Sequence, residues 1–220
     1  MDVALDHVHH KKYSGIPVQK NEPLKTSIAF FDFDGTITTR DSFLELIKFY
    51  RGKPLFYAGF LLHLPFLLAY KLRIISNQAA KERILQFFFS GTRETDFRSR
   101  CNDYASTALP HIIRPKAMQE ITALQAAGTE IVIVSASAED WIQAWCNTHN
   151  LLLEGTRLEV IDGKITGRIV GSNCHGSEKV RRIRERFRLE DYDEILAFGD
   201  TAGDRPMLSL ANTRFYKPFR

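Results

Sequence analysis

Phe31-Asp32-Phe33-Asp34-Gly35-Thr36 sets two carboxylates one residue apart, where a short apolar run gives way to a Gly-Thr turn. The run from Ser27 to Phe33 holds Ile28, Ala29, Phe30, Phe31 and Phe33, the pattern of a strand buried on both faces of a sheet. Carboxylates do not persist in such surroundings without partners. On a regular strand, side chains two positions apart point the same way, into a crevice at the carboxyl end of the strand. One cation could meet both residues. The same residues also suit an ordinary strand end followed by an Asp-Gly turn, so the other polar positions must decide.

Two more apolar runs end in polar residues. Glu130 to Val134 leads into Ser135-Ala136-Ser137, and Asp193 to Phe198 leads into Gly199-Asp200, with Asp204 following. In an open parallel sheet these ends line one crevice. Mg²⁺ favours oxygen ligands and needs only one or two carboxylates plus a substrate phosphate, which Asp32 and Asp200 could supply. An Asp32 oxygen could then attack phosphorus and form an aspartyl-phosphate for water to hydrolyse. Asp34 would protonate the leaving alkoxide and deprotonate the water. The Ser135 hydroxyl and the amides at Ser135 and Ala136, read as preceding a helix start, would hold phosphate oxygens. Lys179 would add a compact positive charge, although alone it reads equally as a helix-surface cation.

The ordered set resembles the haloacid dehalogenase superfamily of phosphatases. Its four motifs match Asp32-Phe-Asp34-Gly-Thr36, Ser135 after an apolar strand, Lys179 at a helix start, and Gly199-Asp200-x-x-x-Asp204. The likeness runs roughly from Ser27 to Pro218. It implies that Asp32 is nucleophile and Mg²⁺ ligand, and that Asp34 is the acid/base and lends its backbone carbonyl to the metal. Ser135 and Lys179 would hold phosphate, and Thr36 would lie in a phosphate loop whose amides include Gly35. Asp200 would be a metal ligand, supported by Asp204. Asp34 also separates the chain from dehalogenases and cation-pumping ATPases of the superfamily, which lack an aspartate there. A phosphotransferase would use the same intermediate, and a non-catalytic phosphate- or metal-binding module is the alternative from another class.

The expected fold is α/β, a Rossmann-like parallel sheet with an inserted helical cap domain resembling that of phosphoserine phosphatase. Residues 25–40 and 112–220 would form the core, 41–111 the cap and 1–24 an N-terminal arm. The recognition segment after the first motif reads Thr38-Thr39-Arg40-Asp41-Ser42-Phe43, with Asp41 its one acidic residue, which argues against phosphoserine as substrate. His63 and Asn173 are further pocket candidates, each with a simpler reading, as a satisfied core histidine and as part of a polar turn.

Within the core, helices are expected from Pro115 to Ala127, Ala138 to Asn150, Ser177 to Phe187 and Arg205 to Ala211. Asp162-Gly163 signals a hairpin, and the arginines from Arg181 to Arg188 read mainly as a solvated face. In the insert, Leu55 to Leu72 is the most apolar stretch, with His63 and Pro65 near its middle. It reads as two short helices broken at Pro65 that bury each other, or as an interfacial surface that makes peripheral membrane contact and selects a lipid-like phosphomonoester.

At 220 residues, 44% hydrophobic and 25% charged, the chain can bury a substantial core. A net charge of +4 suits anionic substrates or membrane surfaces, and there is no nucleic-acid motif. Cys101, Cys146 and Cys174 are odd in number, far apart and never in a Cys-x-x-Cys pair, so neither a disulfide framework nor a zinc site is indicated. With a polar N-terminal stretch holding His7, His9, His10, Lys11 and Lys12, they lead to an expected cytoplasmic location, peripheral at the inner membrane face on the interfacial reading. No obligate protein partner is indicated. Ser135 lacks a Gly-x-Ser-x-Gly elbow, and Cys174 lies too far from Arg181 to form the phosphate loop of cysteine phosphatases.

Overall fold

The computed structural model describes residues 26–220; residues 1–25, including the expected N-terminal arm with the histidines and lysines named above, lie outside the described residues. Strand β1 (Ser27–Phe31) is wholly apolar from Ile28 onward, and those four residues are completely buried. Such a strand belongs at the centre of a sheet covered on both sides. It pairs in parallel with β2 (Glu130–Ala138), which in turn pairs with β3 (Leu152–Thr156) at one edge.

The segment Leu158–Ile161 (β4) and Lys164–Ile169 (β5) forms a separate hairpin, joined by Asp162 and Gly163 with φ of 49° and 68°. Positive φ at both positions is what the Asp-Gly signal requires. On the other side of β1 lie β6 (Glu194–Gly199) and β7 (Thr213–Tyr216), giving the parallel order β3-β2-β1-β6-β7.

Alternate residues of β1 feed two cores. Ala29 and Phe31 join the apolar layer that continues into the helical insert, and Ile28 and Phe30 join a smaller one. The insert comprises α1 (Ser42–Leu62), α2 (Leu64–Lys71), α3 (Asn77–Phe89) and α4 (Glu94–Thr107). Helices α5 (Pro115–Ala126) and α6 (Glu139–Thr148) contribute to the larger layer, and α7 (Ser177–Arg186) and α8 (Arg205–Leu208) to the smaller. The hairpin fastens insert to core, with the Ile165 amide donating to Thr92 O at 2.9 Å and the Gly91 amide to Ile165 O at 2.8 Å. A Cβ on Gly167 would fall 2.5 Å from the Gln86 backbone, so only glycine permits that approach.

Several expectations require correction. β1 stops at Phe31 rather than Phe33, because Asp34 and Gly35 (φ 83°) turn the chain; strand alternation therefore does not extend to Asp34. β2 runs on to Ala138, so Ser135 and Ala136 lie inside a strand and not at a helix start. The insert breaks at His63, where α1 and α2 meet at 63°, and Pro65 falls in the first turn of α2, where a missing amide is harmless. A second break lies at Gly52, whose φ of 79° divides α1. Among the described residues no single helix is long and apolar enough to cross a membrane, although the bent α1–α2 pair reaches that length and composition together.

Of the two readings of Leu55 to Leu72, burial fails for most of it. Helix α2 buries none of its residues, and Leu61, Leu62 and Leu72 are 72%, 67% and 71% exposed.

Candidate active site

The strand register builds the crevice. Phe31 stands level with Ile133 and Phe198, so Asp32 leaves its strand beside the segments carrying Ser135 and Asp200. The Asp32 amide donates to Phe198 O at 2.9 Å, which fixes its height. Carboxylate oxygens of Asp32, Asp200 and Asp204, all buried, lie within 4.8 Å of one another. Three oxygen donors at this spacing fit a hard divalent cation. Gly35 makes the approach possible, since a Cβ there would sit 2.6 Å from Asp200 Oδ2.

Lys179 is completely enclosed. Its Nζ donates to Asp32 Oδ1 at 2.5 Å and Asp204 Oδ1 at 2.8 Å, which settles it as an interior cation. Burial opposes the Lys179 charge, but Asp32 and Asp204 outweigh it and its pKa lies above the ordinary value. Asp32 shows the reverse balance. Burial raises it to about 7 although Lys179 favours the carboxylate. Asp204 is desolvated too, yet Lys179 and Thr201 hold its pKa below the usual range. Its Oδ2 accepts from the amides of Asp200 and Thr201 and from the Thr201 hydroxyl, so this residue shapes the turn that presents Asp200. Burial raises Asp200, partly offset by the Arg220 guanidinium that donates to its Oδ2. The Thr36 hydroxyl lies 3.1 Å from Asp32 Oδ2 and 3.3 Å from Asp200 Oδ1.

Asp34 occupies a separate niche. Its Oδ1 accepts from the Ser42 amide at 2.7 Å and its Oδ2 from the Ser137 hydroxyl at 2.5 Å. The Ser137 oxygen is 3.0 Å from Ser42 Oγ, to which the Trp141 indole donates at 3.2 Å. Burial, reinforced by Asp41, raises the Asp34 pKa to about 6, with the Ser137 and Ser42 donors working against the shift. An acid that titrates close to neutrality can both give and take a proton.

The remaining expected positions are placed as follows. Ser135 Oγ accepts from the Ser137 amide at 3.0 Å, and Ala136 offers its carbonyl, to Lys81 Nζ at 2.5 Å and Thr156 Oγ1 at 2.7 Å. The Gly35 amide donates to Thr38 Oγ1 at 3.1 Å. Asp41 caps α1, accepting from the Leu44 amide at 3.0 Å. Asn173 is buried and bridges core to insert, taking Thr156 Oγ1 at 2.8 Å and giving its amide nitrogen to Asn77 Oδ1 at 2.5 Å. His63 sits at the α1–α2 bend with Nδ1 2.9 Å from Gly59 O and its ring against Phe87, and no strand-end residue is among those contacts. The arginines of α7 are not uniformly solvated: Arg182 is buried on the carbonyls of Gly155 and Ser172, and Arg186 pairs with Glu154 at 2.6 Å.

Lys81, Ser137 and Arg220 were not anticipated. Ser137 carried a signal, being two residues beyond Ser135 on the same strand. Lys81 carried a weaker one, a polar position on the core-facing side of an apolar helix. Burial lowers the Lys81 pKa, partly countered by Asp34 and Asp41.

A parallel α/β sheet with an acidic cluster and an enclosed lysine at its carboxyl end places the protein in the doubly wound class, with its site at the strand ends. The sequence pattern of haloacid dehalogenase-like hydrolases matches residues 29–209, and the chain belongs to that family. It is 35% identical over 202 residues to Protein CicA of Caulobacter vibrioides, covering 91% of this chain and 88% of that one. It is 29% identical over 218 residues to a probable phosphatase of Mycobacterium tuberculosis, covering 89% and 73%. In fold it is similar to a Bordetella pertussis protein of unknown function (TM-score 0.76, 20% identity, 86% and 89% covered). A phosphoserine phosphatase captured as a phospho-aspartyl intermediate analogue is also similar (TM-score 0.58, 18% identity, 86% and 85% covered). The fold is thus that of a phosphoserine phosphatase-like member of the family.

Proposed function

We propose that this chain is a Mg²⁺-dependent phosphomonoester hydrolase working through an aspartyl-phosphate on Asp32, with the helical insert selecting the alcohol. The observation that carries the proposal is the division of the crevice. Asp32 lies against Lys179 at 2.5 Å and within 4.8 Å of Asp200 and Asp204, while Asp34 is held apart by Ser42 and Ser137.

Asp32, Asp200 and Asp204 would hold Mg²⁺, which supplies charge neutralisation at the phosphate when bound. An Asp32 carboxylate oxygen attacks phosphorus, the phosphorus–alkoxide bond breaks, and protonated Asp34 gives its proton to the departing oxygen. A water then loses a proton to Asp34, attacks the same phosphorus and releases inorganic phosphate, returning Asp32 to a carboxylate. Lys179 keeps one Asp32 oxygen fixed and, with the Ser135 hydroxyl, balances charge on the phosphoryl oxygens.

Lys81, bonded to Ala136 O, and Asp41, the cap of α1, are the charged groups of the insert whose fields act at Asp34. These two charges suit a polar group beside the phosphate, and it is the exposed apolar side chains of the insert that favour a lipid-like alcohol over a small amino acid. Hydrolysis of a chromogenic aryl phosphate with Mg²⁺, and its loss in chelator, tests the reaction. A panel of lipid, sugar and amino-acid phosphates tests the alcohol, and a preference for small polar phosphates would remove the lipid-like assignment. Full activity of Asp32→Asn would overturn the mechanism.

A further inference from the structure

We propose that the distal half of α1, α2 and the turn after it form a surface that docks on an anionic lipid bilayer without crossing it. Ten of the thirteen exposed large hydrophobic side chains among the described residues fall between Leu55 and Phe87, so the exposure is local. Leu61, Leu62, Leu72 and Ile74 are each more than 65% exposed. An eight-residue helix such as α2 is marginal in water and owes its stability to burial of an apolar face. Yet α2 buries none of its residues in this fold. Phe66, Leu67 and Ala69 are half-buried, with Leu67 against the core, and the rest of the helix is left for a partner outside the chain to cover.

Charge identifies that environment. From Leu46 to Lys81 there is no aspartate or glutamate, whereas Lys48, Arg51, Lys53, Lys71, Arg73 and Lys81 are all cationic. Lys48, Arg51 and Lys81 are spent inside the fold, on Glu45, Phe88 O and Ala136 O. Lys53, Lys71 and Arg73 are exposed, as is Arg83, and no described carboxylate pairs with any of the four. A second copy of the chain on the same face would set these cations against their own equivalents, which disfavours a symmetric dimer. An anionic bilayer offers negative headgroups to the cations and an apolar layer to the leucines, and Tyr57 and Tyr70 suit the boundary between them.

Surface docking also agrees with the bend. Neither helix alone spans a bilayer, and the 63° angle at His63 lays the two against one plane more readily than through it. Helix α3 joins this face to the crevice, since Phe87 packs on His63 while Lys81 reaches Ala136 O. The docking surface does not depend on the phosphatase reading.

Co-flotation of the full chain with vesicles tests the proposal, comparing phosphatidylcholine alone with mixtures containing phosphatidylglycerol. The expected result is binding to the anionic vesicles at least about tenfold tighter than to neutral ones. Leu61→Glu with Leu72→Glu should abolish it, and Lys71→Glu with Arg73→Glu should weaken it by more than about tenfold. Both variants should retain aryl phosphate turnover in solution, and the second alters only exposed cations should the first fail to fold. Absence of flotation would overturn the proposal, as would binding unchanged by either variant. Resistance to alkaline carbonate extraction would replace docking with insertion. Self-association of the wild type without vesicle binding, abolished by Leu61→Glu with Leu72→Glu, would assign the face to a second copy.

Discussion

The carboxylate crevice and the α1–α2 face solve opposite problems. In the crevice, charged groups are buried and every one is met: Lys179 by two aspartates, Asp34 by two donors, and no buried side-chain nitrogen or oxygen among the described residues lacks a partner. On the α1–α2 face, apolar groups lie exposed and most are met by nothing. Buried polar groups without partners are costly, so a complete network marks a site whose side chains are positioned by the chain itself. A large uncovered apolar patch marks a surface whose partner lies elsewhere. In the roles proposed above, the first region carries the reaction and the second the contact with a bilayer.

Substitutions can break each half of that contrast separately. Asp32→Asn should lower aryl phosphate turnover by at least about 10³-fold while leaving the fold intact, because the nucleophile is lost and the neutral amide still accepts from Lys179. Asp34→Asn should cost about 10²- to 10⁴-fold in kcat, and most with poor leaving groups, since an alcohol of high pKa needs the proton and an activated aryl alcohol does not. Equal loss on both substrate types would remove Asp34 as the acid. Lys179→Met leaves Asp32 and Asp204 facing each other without a cation, and denaturant unfolding should show a loss of about 3 kcal/mol, partly restored by added Mg²⁺.

How far each half was legible follows from the same contrast. Asp32, Asp200 and Asp204 were readable because strand ends and glycine turns announce a crevice, whereas Lys179, in a helix, read alone as a surface cation and stood out only through the order of the four motifs. Strand β1 was readable from its unbroken apolar run, but its end was not, because Gly35 takes a positive φ that turns the chain early. β3 was missed because Glu154 and Gly155 interrupt its apolar character, and β7 because its residues at the sheet edge are only partly buried. Lys81 and Arg220 reach the site through tertiary packing, which no local pattern encodes. Whether Leu55 to Leu72 would be covered was undecidable from composition. It depends on how many apolar neighbours the fold supplies, and the fold supplies few.

Two smaller effects sharpen the boundary between the regions. Gly59 lies where α1 crosses α3, and a Cβ there would fall 2.5 Å from the Phe88 ring and 2.6 Å from the Phe87 ring. Gly59→Val should therefore destabilise by about 2 kcal/mol through overpacking and weaken vesicle binding by displacing Phe87, with aryl phosphate turnover preserved in the folded fraction. Glu178 anchors the start of α7 through Arg181 and Arg182, and the Arg181 hydrogen bonds, against some desolvation, lower its pKa from 4.5 to about 2. A depressed carboxylate pKa contributes stability above the unfolded value that is lost as pH falls through the folded one. Glu178→Gln should cost about 1 kcal/mol at neutral pH, and its deficit against the wild type should shrink from pH 4.5 toward 2.

The reaction centre itself is tested most directly by acid quench during turnover of a phosphomonoester with Mg²⁺, followed by mass spectrometry of the peptide containing Asp32. The expected result is one phosphoryl group on Asp32, absent in chelator and discharged when turnover is allowed to finish. Turnover at full rate with Asp32 never phosphorylated, even in Asp34→Asn where discharge is slowed, would contradict the account.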